Sequence, residues 1–382
     1  GLNLTVDGST VSVTQANNLT ATTSGTVTAT LTSGAVADLT DLTADTDNNA
    51  ALSITITDNS ASAADLNTIN ATTTLAVDAT AIATISASTL GAISTLGGAI
   101  TGGQFAATNA IATINVSGDA IDYTTLGSEI DRFDDFRTDP AIATFVLADT
   151  TTVTLGSQTE VDNFLADVTA NLVSVSGASQ AVTVTAAPGG VDISHTDAIA
   201  LAAAAGGTVT ATIVSGTTVD QLKTLYDAGE TNAYTITIDN ADATGSTAAE
   251  FNAINSATSV AINAAAVTSL SGTASDIATL MSAATDAEQF TGASFDSVAA
   301  NGLSITGTAI DVTDLNNALS RTTAVSNNTV LATFASAQGD ITVSGGTATE
   351  FDSLLALEGT NVNITGLNLT VDGSTVSVTQ AN

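Results

Sequence analysis

The sequence predicts a repeat solenoid: a right-handed parallel β-solenoid with short helices flanking many of its coils, an α/β solenoid. A pure parallel β-helix is the alternative. Three observations predict it. A 17-residue segment recurs unchanged at a spacing of 365 residues, an older duplication lies inside that spacing, and a strand-plus-helix mark recurs within each half.

The first repeat is literal. Gly1–Asn17 reads GLNLTVDGSTVSVTQAN, and Gly366–Asn382 reads the same. The simplest reading is a polypeptide that repeats every 365 residues, with residues 366–382 opening the next period; a terminal duplication is the other reading. The second repeat is older. GTVTAT at Gly25–Thr30 returns at Gly207–Thr212, and Ser62-Ala-Ala-Asp-Leu-Asn-Thr-Ile-Asn70 matches Thr247-Ala-Ala-Glu-Phe-Asn-Ala-Ile-Asn255. Gly118, Ile121, Asp122 and Leu126 match Gly307, Ile310, Asp311 and Leu315. These matches keep apolar class and cap chemistry more than identity, as a shared packing scheme would. Residues 1–181 and 182–365 are therefore expected to be two related half-units.

Each half is built from a smaller mark. Ile54-Thr-Ile56, Tyr234-Thr-Ile-Thr-Ile238 and Ile341-Thr-Val343 alternate with period two and are rich in β-branched residues, which reads as strand. Many such runs precede a helix start, an alcohol or Asp with an acid three residues on: Ser62/Asp65, Ser157/Glu160, Thr217/Asp220, Thr247/Glu250, Thr273/Asp276, Asp311/Asp314 and Thr347/Glu350. The first side chain can accept from free amides of the first turn, and the acid can reach back. Such a unit cannot bury its apolar stripe alone, but it can against like neighbours, at roughly 23 residues per coil. Strands joined by a returning helix lie parallel, with right-handed crossovers. Asp7-Gly8 and Asp372-Gly373, set between alternating runs, signal a hairpin or a tight corner between coils, the corner being preferred. Neither end shows a polar capping repeat, so both ends are expected to meet more of the same chain.

Composition narrows function. With 38 acidic and 4 basic residues the net charge is −34, which argues against nucleic acid and anionic membrane surfaces as partners. There is no cysteine, hence no disulfide scaffold, and no apolar run long enough for membrane insertion. The abundance of Thr, Ser and Ala beside so few basic residues fits an extracellular protein.

The motif S/T-A-A-D/E-L/F-N-x-I-N followed by a short Val/Ile run, at Ser62–Val77 and Thr247–Ile262, resembles the Thr/Ala/Asp-rich tandem repeats of giant secreted bacterial surface proteins. Such repeats are familiar from marine cyanobacteria, including cell-surface proteins needed for swimming. The resemblance implies a place at the cell surface and a structural or adhesive role, and it supplies no catalytic residues. Many members of that class carry glycine-rich nonapeptide calcium repeats, which this sequence lacks.

Sites for chemistry are sparse. His195 is the single histidine, with no cysteine or second histidine to complete a metal site, and reads as a loop or coil-edge residue. Asp45 and Asp47, and Asp239 and Asp242, place carboxylates at near-alternating positions that suit calcium, without a full twelve-residue loop. Calcium is thus the one cofactor with any candidate ligands, and solvated turns are the plainer reading. The run Glu129–Arg137 holds two of the four basic residues and reads as an amphipathic helix with internal ion pairs, or as a contact patch. No catalytic residue is expected, and a β-helical polysaccharide lyase is disfavoured by the scarcity of basic residues. The expected function is a structural extracellular protein building a cell-surface fibre, filament or surface layer, with an adhesin stalk or carbohydrate-binding surface protein as the alternative. Its expected partner is itself, end to end and laterally.

Overall fold

The computed structural model describes residues 1–43, 49–106, 111–118, 120–135, 143–148, 151–175, 180–184, 191–229, 231–239, 247–267, 269–285, 289–291, 303–319, 332–359 and 362–371. It divides into two compact units, Gly1–Ala187 with Ala203–Gly207, and Pro188–Ala202 with Thr208–Asn382.

In the first unit every strand pairing is parallel. One sheet has three strands, Leu4–Val11, Val27–Leu31 and Ala51–Ser53. A second has five, in the order Val173–Val175, Thr144–Leu147, Thr113–Ser117, Thr84–Thr89, Ser60–Ser62. Ala120–Asp122, Thr152–Leu155 and Gln180–Val184 pair side by side, as do Val77–Asp78 and Phe105–Ala106. Register aligns the inward residues of the five-stranded sheet in one row: Ala61, Ile85, Ile114, Phe145 and Val173, all buried. Alternation along each strand puts Thr and Ser on the other face, so period two becomes a buried aliphatic ladder with a polar back.

The second unit repeats these habits. Gly206–Thr212 pairs with Ala233–Thr235, and Ile262–Asn263 with Phe290–Thr291. Leu270–Thr273, Leu303–Thr306 and Thr333–Phe334 form one three-stranded sheet; Ala309–Asp311, Thr342–Ser344 and Asn368–Leu369 form another.

Twelve α-helices lie among the described residues. Their starts follow the cap signals. Ser62 Oγ accepts from Asp65 N–H, Ser157 Oγ from Glu160 N–H, and Thr247 and Thr347 form reciprocal boxes with Glu250 and Glu350. One cap sits one residue later than the sequence suggests: Thr218 pairs with Gln221, not Thr217 with Asp220. The Asn of the recurring motif has a role its spacing did not reveal. Asn67 Nδ2 donates to Ala92 O, and Asn252 Nδ2 to Asp276 O, both at 2.9 Å, tying one helix to the next.

The expected single β-solenoid is not what the chain forms, nor is a pure parallel β-helix. It is an α/β fold of several separate parallel sheets carrying helices, and no sheet closes among the described residues. The reason is local. Thr113–Ser117 and Ala120–Asp122, consecutive in sequence, do not pair with each other but enter different sheets. Gly118 stands between them at φ 141°, and its counterpart Gly307, at φ 100°, stands between Leu303–Thr306 and Ala309–Asp311. That backbone conformation, open to glycine, redirects the chain into a second sheet before the helix begins. The Asp7-Gly8 segment is neither hairpin nor corner. Leu4–Val11 is one strand, parallel to Val27–Leu31, with an irregularity between Thr5 and Thr10 where Gly8 adopts φ 78°.

Candidate functional site

A concavity lies in the first unit, where the helices Tyr123–Asp135 and Gln158–Thr169 face each other. It is a polar cleft of about 330 Å³ lined by Tyr123, Thr124, Asp131, Glu160, Asn163 and Asp167 among others.

Tyr123 opens its helix directly after the strand Ala120–Asp122, so the strand's pleat and the helix's first turn fix its ring. The ring is buried edge-on against Phe164, with centroids 5.8 Å apart and planes at 88°. Its hydroxyl donates to the Asp167 carboxylate. Burial pushes the phenol well above its ordinary range, and the accepting Asp167 adds to that. Burial also raises Asp167, with the Asp131 charge acting in the same direction, while the hydrogen bond from Tyr123 works against both. Alongside, Glu160 accepts from the Thr124 hydroxyl at 2.7 Å and from Gly156 N–H at 2.6 Å. The phenol is therefore held protonated as a donor. It cannot serve as a base near neutral pH, and the carboxylates that surround it are acceptors suited to hydroxyl groups.

Beneath the same helix runs an ion pair. Glu129 is only 1% exposed, and Arg132 Nη1 meets its Oε2 at 3.0 Å while also donating to Ser94 O on the helix Leu90–Thr101. Gly97 makes room for this: a Cβ there would lie 3.0 Å from Arg132 Cδ. The expected ion-paired amphipathic helix is thus present over Glu129–Arg132, while Phe136 and Arg137 lie outside the described residues. A second depression, of about 410 Å³ in the second unit, is lined by Tyr226, Asp227 and Thr231, beside the exposed Lys223–Asp227 pair.

Of the calcium candidates, Asp45, Asp47 and Asp242 lie outside the described residues, and Asp239 Oδ2 accepts from Gly216 N–H at 2.7 Å. Among the described residues no group of three or more His, Cys, Asp or Glu side chains could hold a metal ion. His195 is the first residue of the helix His195–Ala205. The neighbouring Ser194 hydroxyl is engaged in that helix start, accepting from Asp197 N–H and donating to Asp197 Oδ2. Among the described residues no helix is long and apolar enough to cross a membrane.

Sequence reading missed the Tyr123–Asp167 pair because 44 residues separate its members. One signal was available. At matched positions of the second half stand Val312 and Leu357, so both members turn polar in one half only. Comparison with known proteins adds nothing: no family model, curated protein or solved structure matches the chain.

Proposed function

We propose that this chain is a structural extracellular protein that associates with itself in a cell-surface fibre, filament or layer, and that it is not an enzyme. The observation that carries this reading is repetition. A 17-residue segment recurs letter for letter, and matched residues of the two halves make the same contacts, Thr124 with Glu160 and Thr313 with Glu350. A chain that copies its packing contacts, and not a constellation of reactive groups, is one whose product is an assembled surface. The acidic balance supports the same reading, since like charge keeps copies soluble until cations screen them.

Antibodies against the chain, gold-labelled on intact cells, test this by electron microscopy. Label on repeating material outside the cell is expected. Label confined to the interior overturns the proposal.

The polar Tyr123 cleft favours one second reading, a surface protein that binds carbohydrate, because buried phenol and carboxylate groups at a concavity suit sugar hydroxyls. Titration of neutral and acidic oligosaccharides against the chain, read from amide shifts around Tyr123, decides it. Absence of saturable shifts removes this reading and leaves the first.

A further inference from the structure

A set of asparagines ties neighbouring parts of the chain together, and at the Tyr123 cleft that tie is absent. Asn17, Asn67, Asn252 and Asn316 are each the fifth residue of their helices, Val13–Thr20, Ala63–Asn70, Ala248–Ala257 and Val312–Leu319. Each donates through Nδ2 to a main-chain carbonyl further along the chain, at 2.9, 2.9, 2.9 and 2.8 Å. For the last three the acceptor is the third residue of the next helix, Ala92, Asp276 or Glu350. The matched pair Asn67 and Asn252 keeps the tie in both halves. The matched pair Gly127 and Asn316 does not, because the fifth residue of Tyr123–Asp135 is glycine. The corresponding acceptor is Glu160 O, on the third residue of Gln158–Thr169. Among the described residues no side chain donates to that carbonyl, so its second lone pair is left to the cleft.

Gly127 itself lines the cleft. A Cβ there would lie 3.5 Å from Tyr123 Cε1 and 3.8 Å from the phenol oxygen, which is ordinary contact. A side chain would therefore be tolerated, beside the Tyr123 ring and its hydroxyl. Three matched positions thus differ together around one concavity: Gly127 stands for Asn316, Tyr123 for Val312 and Asp167 for Leu357. Each difference works against the fold. Glycine weakens a helix interior, a tie between helices is lost, and a carboxylate sits where burial opposes its charge. Local rules broken together at a concavity mark a place shaped for binding.

The cleft offers acceptors: the Asp131, Glu160 and Asp167 carboxylates and the Glu160 carbonyl, with no Lys, Arg or His among its lining residues. The partners these carboxylates already have are hydroxyl and amide groups, from Tyr123, Thr124 and Gly156. That is the chemistry of a polyol. We propose that the space beside Gly127 admits a neutral sugar unit, one hydroxyl of which takes the place of the absent asparagine amide on Glu160 O while its neighbours donate to the lining carboxylates. The same carboxylates turn sugar acids away. At about 330 Å³ the cleft is at the small end of ligand pockets, so it holds the end of a glycan and not a long stretch of one. This deepens the carbohydrate reading of the cleft and rests on it.

The test is calorimetric titration of the full chain with the methyl glycosides of glucose, galactose and mannose, and with glucuronate and galacturonate. At least one neutral glycoside should saturate, and the sugar acids should bind about tenfold more weakly or not at all. Gly127→Asn, which restores the residue of the second half, should weaken neutral binding about tenfold while leaving the thermal midpoint unchanged or raised. Asp131→Ala, at an exposed position, should weaken neutral binding and strengthen that of the acids. Should Gly127→Asn lower the thermal midpoint, Asp131→Ala decides in its place. Preference for a sugar acid, or neutral binding that survives the deciding variant, overturns the proposal and leaves the carbohydrate reading standing. No saturable binding of any of the five sugars overturns both.

Discussion

The segments that follow Gly118 and Gly307 start alike and then diverge. Each runs through a short strand, Ala120–Asp122 or Ala309–Asp311, and each strand ends in an Asp whose Oδ1 accepts from the N–H of the second helix residue at 2.8 Å, Thr124 or Thr313. Both threonine hydroxyls then donate to a glutamate at the start of the next helix, at 2.7 and 3.0 Å. Among the described residues the helix of the first unit spans Tyr123–Asp135 and that of the second Val312–Leu319. Where the second unit buries Val312 and Ala318, the first buries Tyr123 and Glu129. The polar cap network has been kept, and the packing interior has been free to turn polar in one unit. What is held constant between the units is the joint between strand and helix.

The comparison breaks most sharply at Glu129. Its counterpart is the fully buried Ala318, so the carboxylate has no structural precedent in the second unit and depends on Arg132. Arg132→Met strands a buried charge and should cost the first unit about 3–5 kcal/mol. Glu129→Ala, which restores the residue of the second unit, should cost much less. Urea unfolding of the two variants checks this, and equal losses would refute the account.

Next in size is a difference at matched glycines. A Cβ on Gly346 would lie 2.0 Å from Val312 Cγ1, whereas the nearest atom to one on Gly156 is Glu160 Oε2 at 3.6 Å. The β-branched Val312 has little freedom to move. Gly346→Ala should therefore destabilise by about 1–3 kcal/mol through overpacking, and Gly156→Ala should be close to neutral. Thermal unfolding of the pair distinguishes them.

The Tyr123–Asp167 pair offers a smaller and finer test, since Val312 and Leu357 stand in the second unit. Replacing either member alone leaves a polar partner unmatched in a partly buried place, while Tyr123→Val with Asp167→Leu removes both. A double-mutant cycle should give a coupling of about 1 kcal/mol, the double variant being more stable than the two single losses would add to. Strict additivity would mean that the hydrogen bond contributes nothing beyond packing.

How much of this was legible in the sequence follows from the range of each interaction. Caps were legible because donor and acceptor lie three residues apart, and seven helix starts could be marked from Ser62/Asp65 through Thr347/Glu350. Only the start at Thr218 moved, because Thr217 and Thr218 are adjacent alcohols and Gln221 completes the box as well as an acid would. Parallel strands were legible from helices placed between alternating runs. The division into separate sheets was not, because it depends on the backbone angles of single residues such as Gly118, which composition and periodicity do not encode. The cleft was hidden for another reason: Tyr123 meets Asp167 across two helices. The asparagine clamps lay in plain view within the motif, but Asn67 finds its partner Ala92 25 residues away.

The smallest effect, and the one that sets the units against each other, is the response to pH. Glu350 is held below the ordinary carboxylate range by hydrogen bonds from the Thr347 backbone and hydroxyl and from the Thr313 hydroxyl. A folded-state value below the unfolded one means that its contribution is complete above the unfolded value and is lost as pH falls through the folded one. Asp167 is shifted the other way by burial, so its ionised form opposes folding and the opposition fades as pH falls through its raised value. Acidifying from neutral thus relieves Asp167 first, and only below the usual glutamate range does it remove the support from Glu350. Stability relative to Asp167→Asn should rise on mild acidification, and stability relative to Glu350→Gln should hold steady there and shrink only at lower pH. Urea unfolding across that range, for the parent and both variants, reads the two slopes; slopes of the same sign would show that the Tyr123 and Val312 joints are electrostatically alike.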